Sequence, residues 1–387
     1  MTRMDGVDDL SKIDFIAGGG GKSLRQWILT GCNLKVINET DFNGLNNLEE
    51  FDLRVNLLET IEAGSFAPLK NLQKLSLAGN FLNETSLGPE IWRGLENLDT
   101  LDLGWNELFI LPADSFKGLN ALTSLSLRHN EKLQNIEMGA FNNLNKVQFL
   151  NLSGTAITKI EHSTMKELLL LQELHLSNCK INSIESGTFD LQKSTLQKLF
   201  LNGNQLQSID IKVLKELYSI QEIDLSNNPW LCDQNIKKLI DWIRNTYKSA
   251  AESSKPFFLM SSSETKCSRP YTKEGLRILE LTTEDLNIVY NETLDTTTTT
   301  IVSTKTEATT TVSANNLENI TAINFEEIFH VVGDKSNDTL DAIEDARKPA
   351  YDINKVKYGQ KTTSKNPTNS LFATIAGSAL VVITIKQ

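Results

Sequence analysis

The stretch Leu72-Gln73-Lys74-Leu75-Ser76-Leu77-Ala78-Gly79-Asn80 decides the fold. Its leucines stand at the first, fourth and sixth positions, and an asparagine closes it. Leu75 and Leu77 flank Ser76, so the two leucines share one face of a half-buried strand while Lys74 and Ser76 share the other. The same frame recurs from Leu24, Leu48, Leu98, Leu122, Val147, Leu171, Leu196 and Ile220, at steps of 24, 24, 26, 24, 25, 24, 25 and 24 residues. Self-similarity at such a period marks a solenoid, in which each unit buries its apolar face only against its neighbours.

The ninth position is asparagine in six copies: Asn56, Asn80, Asn106, Asn130, Asn204 and Asn228. An inward-turned amide there satisfies backbone groups that a bend leaves unpaired. Cys32 and Cys179 occupy the same position and read as small buried residues rather than reactive thiols. A second apolar spacing follows each frame, and Phe42, Phe66, Trp92, Phe116, Phe141, Met165, Phe189 and Leu214 form one column in it. That column predicts a spine under the convex side. Beyond the last frame, Ile236-Lys-Lys-Leu239-Ile-Asp-Trp242-Ile243 has helical apolar spacing and predicts a short helix over the open end of the core.

These residues resemble the leucine-rich repeat family of animal extracellular proteins, with its cysteine-bearing C-terminal flanking cap. Asn228-Pro-Trp-Leu-Cys232-Asp, Leu239-x-x-Trp242 and Cys267-x-x-Pro270 followed by Gly275-x-x-x-Leu279 match the cap motif. The resemblance covers about residues 24–281. It implies an α/β solenoid, a curved horseshoe with a parallel concave β-sheet, and protein–protein recognition as the activity. The family cap commonly carries four cysteines; here Gln234 stands where the second would be, so one bridge is implied, Cys232–Cys267, in an oxidising compartment. The expected organisation is an irregular segment or degenerate repeat over 1–23, nine repeats over 24–228, and a cap over 229–281. A disordered Thr-rich stalk over 282–370 and a hydrophobic tail over 371–387 complete it.

The ends carry their own signals. Met1-Thr-Arg-Met-Asp-Gly-Val-Asp-Asp has acid where a secretory leader carries its apolar run, so the expectation is a sequence lacking its true start, with a degenerate strand at Leu10–Gly18 as the alternative. Gly18-Gly-Gly-Gly-Gly-Lys22-Ser23 imitates a phosphate-binding loop, but isoleucine holds position 16 where glycine is required, and a strand frame rather than a helix follows. Residues 293–312 hold eleven threonines and almost no aromatics, which reads as a linker or an O-glycosylated stalk. The run Leu371–Ile385 would make a helix of about 22 Å, short of a bilayer core of roughly 30 Å. An apolar tail after a polar spacer suits a lipid-anchor (GPI) signal, and a short membrane span is the alternative.

Composition excludes other classes. The 387 residues are 40% hydrophobic and 22% charged, with a net charge of −11, as for a soluble globular chain rather than a multi-span membrane protein. Without a basic block such a chain is a poor nucleic-acid ligand. The histidines are His129, His162, His175 and His330, and none falls in a zinc-binding or nucleophile–base pattern. Glu49 and Glu50 lie on a repeat strand and read as solvated rather than as an acid–base pair. No catalytic residue, metal or cofactor is expected.

What remains is a surface. The third position of the frames reads Gln26, Glu50, Lys74, Thr100, Ser124, Phe149, Glu173, Lys198, Glu222. The fifth reads Ile28, Asp52, Ser76, Asp102, Ser126, Asn151, His175, Phe200, Asp224. Aromatic and cationic residues on a solvent-facing strand are the exceptions that point to binding, which singles out Trp105, Arg128, His129, Phe149, His175 and Phe200 as the ligand face. Among six Asn-x-Ser/Thr sequons, Asn38 and Asn83 fall in returning loops and Asn291, Asn319 and Asn337 in the stalk, so these five are expected to carry sugar. Asn151, on the concave strand itself, is expected to be bare. The expected function is a cell-surface adhesion or receptor module for an extracellular protein ligand, with a secreted carrier or innate-immune subunit as the alternative.

Overall fold

A computed structural model describes residues 23–253 and 255–287, with short strands at 2–3, 299–301, 310–312, 369–375 and 379–385. The chain divides into two units, Met1–Asn291 and Glu292–Gln387.

The first unit is a curved solenoid. Each of the nine frames supplies one three-residue strand, from Gln26–Ile28 to Glu222–Asp224, and these pair in parallel in sequence order. The register is that of the frame: Lys74 lies opposite Glu50 and Thr100, and Phe149 lies opposite Ser124 and Glu173. The leucines of every strand face a single continuous core. Below them the predicted spine is present: Phe42, Phe66, Trp92, Phe116, Phe141, Met165, Phe189 and Leu214 are all buried. Phe42 stacks on Phe66 and Phe66 on Trp92, at centroid distances of 5.7 and 6.4 Å.

The asparagine ladder works as the frame predicts. Asn80 Nδ2 donates to the Leu53 and Leu77 carbonyls at 3.1 and 2.8 Å, and its Oδ1 accepts the Leu58 N–H at 3.1 Å. Asn56, Asn106, Asn130, Asn204 and Asn228 bridge adjacent turns in the same way. Two successive copies lack the amide, and Thr155 and Cys179 replace it together. Thr155 Oγ1 donates to the Leu152 carbonyl at 2.9 Å and lies 3.3 Å from Cys179 Sγ, which also reaches that carbonyl. Burial pushes the Cys179 thiol above its ordinary pKa, with Thr155 opposing.

The copy with the 26-residue step uses its extra length for a single turn of 3-10 helix, Glu84–Ser86, capped by Asn83. Elsewhere the outer side carries two-residue parallel ribbons, such as Val36–Ile37 with Thr60–Ile61.

The cap closes the core. Cys232 and Cys267 are bonded, with Cα atoms 5.6 Å apart, and Cys32 and Cys179 remain buried thiols in separate turns. The cap helix spans Ile236–Ser253, two turns and more beyond the predicted Ile243. Apolar spacing marks only its buried half, where Ile236, Leu239, Ile240 and Ile243 face the core. Lys248, Ala250 and Ala251 are strong helix formers that carry it on. The cap also adds a strand that the frame does not reveal. Phe258–Met260 pairs in parallel with Glu222–Asp224 and extends the concave sheet. The Phe258 N–H points inward to the Gln221 carbonyl, so the Leu259 N–H points outward, and the Tyr247 hydroxyl accepts it at 3.0 Å. At the other end Thr2–Arg3 pairs with Trp27–Ile28, whereas Leu10–Gly18 lies outside the described residues.

The described residues of the second unit form two strand pairs. Within the Thr-rich stretch, Thr299–Ile301 pairs antiparallel with Thr310–Val312. The apolar tail is not a helix: Asn369–Ile375 pairs antiparallel with Ala379–Ile385. Both stretches are rich in Thr, Ile and Val, which favour extended backbone over helix, and Gly377 stands between the two tail strands. Among the described residues no helix is long and apolar enough to cross a membrane. The rest of the expected stalk, including Ile323–Phe329, lies outside the described residues.

Candidate functional site

The strand alternation that buries the leucines presents the third and fifth positions on the concave face. Its first half is polar and charge-paired. Lys74 Nζ lies 2.7 Å from Glu50, Arg25 pairs with Glu49, and Arg54 forks onto Asp52 at 2.9 and 2.7 Å. Burial raises the Asp52 pKa, but the side-chain and backbone hydrogen bonds from Arg54 outweigh it and hold the carboxyl below its usual range. Glu50, Asp52, Arg54 and Lys74 line a shallow concavity of about 300 Å³. The acids are thus partners in ion pairs rather than an acid–base couple. Among the described residues no three of His, Cys, Asp and Glu are grouped to hold a metal.

The aromatic half begins at Phe149. The Phe149 ring is 5.2 Å from His175, and His175 stacks on Phe200 at 4.4 Å with planes 23° apart. All three are half-buried and stand on consecutive strands, as the register requires. Glu173 Oε1 fixes His175 through Nε2 at 2.6 Å, and Lys198 Nζ lies 3.5 Å from Glu173 and 3.8 Å from Glu222.

Trp105, Arg128 and His129 form a second cluster on the loops that leave the strands. Trp105 is 45% exposed, and the Arg128 guanidinium lies 4.2 Å from its ring centroid. His129 leans across the next turn, where a Cβ on Gly154 would lie 2.7 Å from His129 Nδ1. A Cβ on Gly104 would likewise lie 2.9 Å from Arg128 Cγ. Two glycines therefore make room for this cluster. The six expected ligand residues resolve into a strand set and a rim set, each internally stacked.

The sequence reading missed Phe258 and Met260. They stand opposite Glu222 and Asp224 and continue the third and fifth columns onto the cap, 55% and 40% exposed. The four-residue apolar run Phe257–Met260 was their only signal, and it is too short to set a period.

The sequons fall as the frame places them. Asn83 sits in a loop, with its Oδ1 accepting from the Thr85 N–H at 2.9 Å and the Thr85 hydroxyl at 2.6 Å. Asn38 Nδ2 donates to Asp41 at 3.2 Å. Asn151 is half-buried on the concave strand opposite His175. Asn291, Asn319 and Asn337 lie outside the described residues.

A leucine rich repeat family model matches residues 22–82, 83–131, 121–181 and 169–229, more than half of the chain. The chain belongs to the leucine-rich repeat family. Comparison with curated proteins gives no significant match. Among solved structures, TLR13 in its complex with ssRNA13 superposes with a TM-score of 0.54 and 22% identity over 68% of this chain. This chain spans 40% of the length of that one. Human 5T4 (Wnt-activated inhibitory factor 1, trophoblast glycoprotein) gives a TM-score of 0.50 and 22% identity over 68% of this chain and 88% of its own. At that identity both likenesses establish the solenoid fold.

Proposed function

We propose that this chain is a non-catalytic recognition module that binds an extracellular protein on its concave face and is held at the cell surface by its C-terminal segment. The observation that carries the reading is the ring set Phe149–His175–Phe200, stacked on three consecutive strands. Each ring rests on a backbone paired on both sides, so binding costs little ordering. Solvent-facing rings beside paired charges have the make-up of an interface centre. The Cys232–Cys267 bond supports an oxidising compartment. The Thr-rich stretch and the loop sequons fit an exposed, sugar-bearing chain.

The test has two arms. Surface labelling of intact cells should detect the chain, and phosphatidylinositol-specific phospholipase should release it. Recovery only from the medium, with residues 371–387 still attached, would remove the anchor from the proposal. In the second arm the soluble chain is titrated onto a panel of cell lines. Phe149→Ala with Phe200→Ala should abolish the saturable binding that the wild type shows, and binding that survives would sink the concave-face reading.

A further inference from the structure

The concave sheet does not end with the repeats, and its last strands change the chemistry of the face. Along the third column the order is Phe149, Glu173, Lys198, Glu222, Phe258; along the fifth it is Asn151, His175, Phe200, Asp224, Met260. An acidic pair, Glu222 and Asp224, therefore stands between two apolar groups. On one side lies the stack of Phe149, His175 and Phe200; on the other lie Phe258 and Met260, both supplied by the cap.

Charge on this half of the face is one-sided. Three carboxylates, Glu173, Glu222 and Asp224, share one ammonium group, Lys198, which lies 3.5 and 3.8 Å from the two glutamates. The flanking columns are uncharged. Gln148, Gln172, Gln197 and Gln221 precede the strands, Ser153, Ser177, Asn202 and Ser226 follow them, and Ser261, Ser262 and Ser263 follow the cap strand. Asp224 is buried, 8% exposed, and held by the Ser226 N–H at 3.0 Å with Ser261 Oγ 3.5 Å from its other oxygen, so it adds its charge from beneath while Glu222 is the carboxylate a cation reaches. An acidic floor of this kind, walled by rings and a methionine, attracts a cation whose neighbours are apolar.

We infer that the partner of the concave face is an extended protein segment with the pattern apolar–x–Lys/Arg–x–apolar, laid across the last four strands with its basic side chain over Glu222 and Asp224. The inference rests on the concave-face reading and adds the chemistry of the occupant. The spacing agrees. Adjacent strands are about 4.8 Å apart, so the acidic pair lies roughly 7 Å from the middle of the His175–Phe200 stack. In an extended chain, residues two apart face the same side and are also separated by roughly 7 Å. The first apolar side chain then meets His175 and Phe200 and the basic one meets the acids; the cap strand is one step, about 4.8 Å, further on, so the last apolar side chain lies over the outer side of Phe258 and Met260. Lys198, engaged by two glutamates, disfavours a second cation over its own position and so sets the register.

The experiment uses the full-length chain, immobilised and panned with a phage-displayed library of random 12-residue peptides. Enriched peptides are then synthesised and titrated by fluorescence polarisation. The expected enrichment is Lys or Arg two residues from apolar residues on both sides. Affinity should fall about tenfold for each of Phe258→Ser and Glu222→Gln, and it should weaken as salt is raised. Phe258 is exposed and Glu222 partly so, and unchanged thermal midpoints will confirm that both variants are folded. Enrichment of acidic peptides, no enrichment over a blank surface, or full affinity for both variants overturns the inference. Peptides that ignore Phe258→Ser and Glu222→Gln but are lost with Phe149→Ala and Phe200→Ala would leave the concave-face reading standing without this partner. Indifference to all four changes would end both.

Discussion

The indole of Trp105 and the imidazole of His129 lie 4.9 Å apart with planes 7° from parallel. They occupy the same place in adjacent turns, and both backbones are left-handed, with φ of 50° and 55°. Six of the other turns put glycine or asparagine there, Gly31, Gly79, Gly154, Gly203, Asn178 and Asn227, and one puts Val55, at φ 56°. Bulky side chains at this φ are strained, by about 1–2 kcal/mol for an L residue.

The first prediction follows. Trp105→Asn relieves the strain, because asparagine tolerates this conformation, and it removes a stack worth about 0.5–1.5 kcal/mol. The two effects offset, so denaturant unfolding should show a change below about 1 kcal/mol. A loss of several kcal/mol would make the stack part of the fold rather than of the exposed rim.

Asn80→Ala should be severe. It strips the Leu58 N–H and the Leu53 and Leu77 carbonyls of a shared buried partner. Leaving buried backbone groups unsatisfied costs about 1–3 kcal/mol each, before relaxation lets some of them find others. A total near 3 kcal/mol is expected in chemical denaturation. Thr155→Ala, which removes one hydroxyl donor, should cost about 1 kcal/mol.

Cys267→Ala should loosen the cap before the repeats. The bond closes a 35-residue loop, for which chain entropy gives about 3–4 kcal/mol. Hydrogen exchange should accelerate in Ile236–Ser253 and Phe258–Met260 while the first strands keep their protection. Peptide mapping without reduction should recover Cys232 linked to Cys267.

Cys179 should resist alkylation in the folded chain. Its pKa is raised by burial, so at any pH below that value it holds less thiolate than an ordinary cysteine, and thiolate is the reacting species. Iodoacetamide at mild alkaline pH should label it only after unfolding. Labelling in the native state at the rate of a free thiol would contradict its place in the ladder.

Glycan occupancy should rank Asn83 above Asn38 and both above Asn151. The Asn83 loop turns its carbonyl oxygen to Thr85, whereas the Asn38 amide nitrogen is already engaged by Asp41. A sugar on Asn151 would rise beside His175 and cover the strand set. Site-resolved glycopeptide mass spectrometry gives the order, and high occupancy at Asn151 would exclude that set as a binding surface.

Most of the solenoid was legible because its information is one-dimensional. Leucine spacing sets the strand face, and stacking copies of one frame sets the neighbours, so Lys74 opposite Glu50 needs no more than counting. The spine from Phe42 to Leu214 was legible for the same reason. What escaped depends on the third dimension. Phe258–Met260 stands outside the frame, separated from the ninth strand by a helix, and only the closing of that helix over the core brings it to the sheet edge. The division of the ligand residues into a strand set and a rim set depends on ring orientation and on the space above Gly104 and Gly154. Neither is written in the spacing.

The hydrogen bond from Leu259 to the Tyr247 hydroxyl has a consequence for how such an array changes length. Both partners belong to the cap, so the closure does not depend on how many turns precede it. Copying or deleting one unit between Leu24 and Asn228 would carry the terminus along intact. The last strand would still offer no free N–H at Leu259 on which a second molecule could continue the sheet. Gene duplication can thus tune the reach of the molecule while this bond stays within the cap.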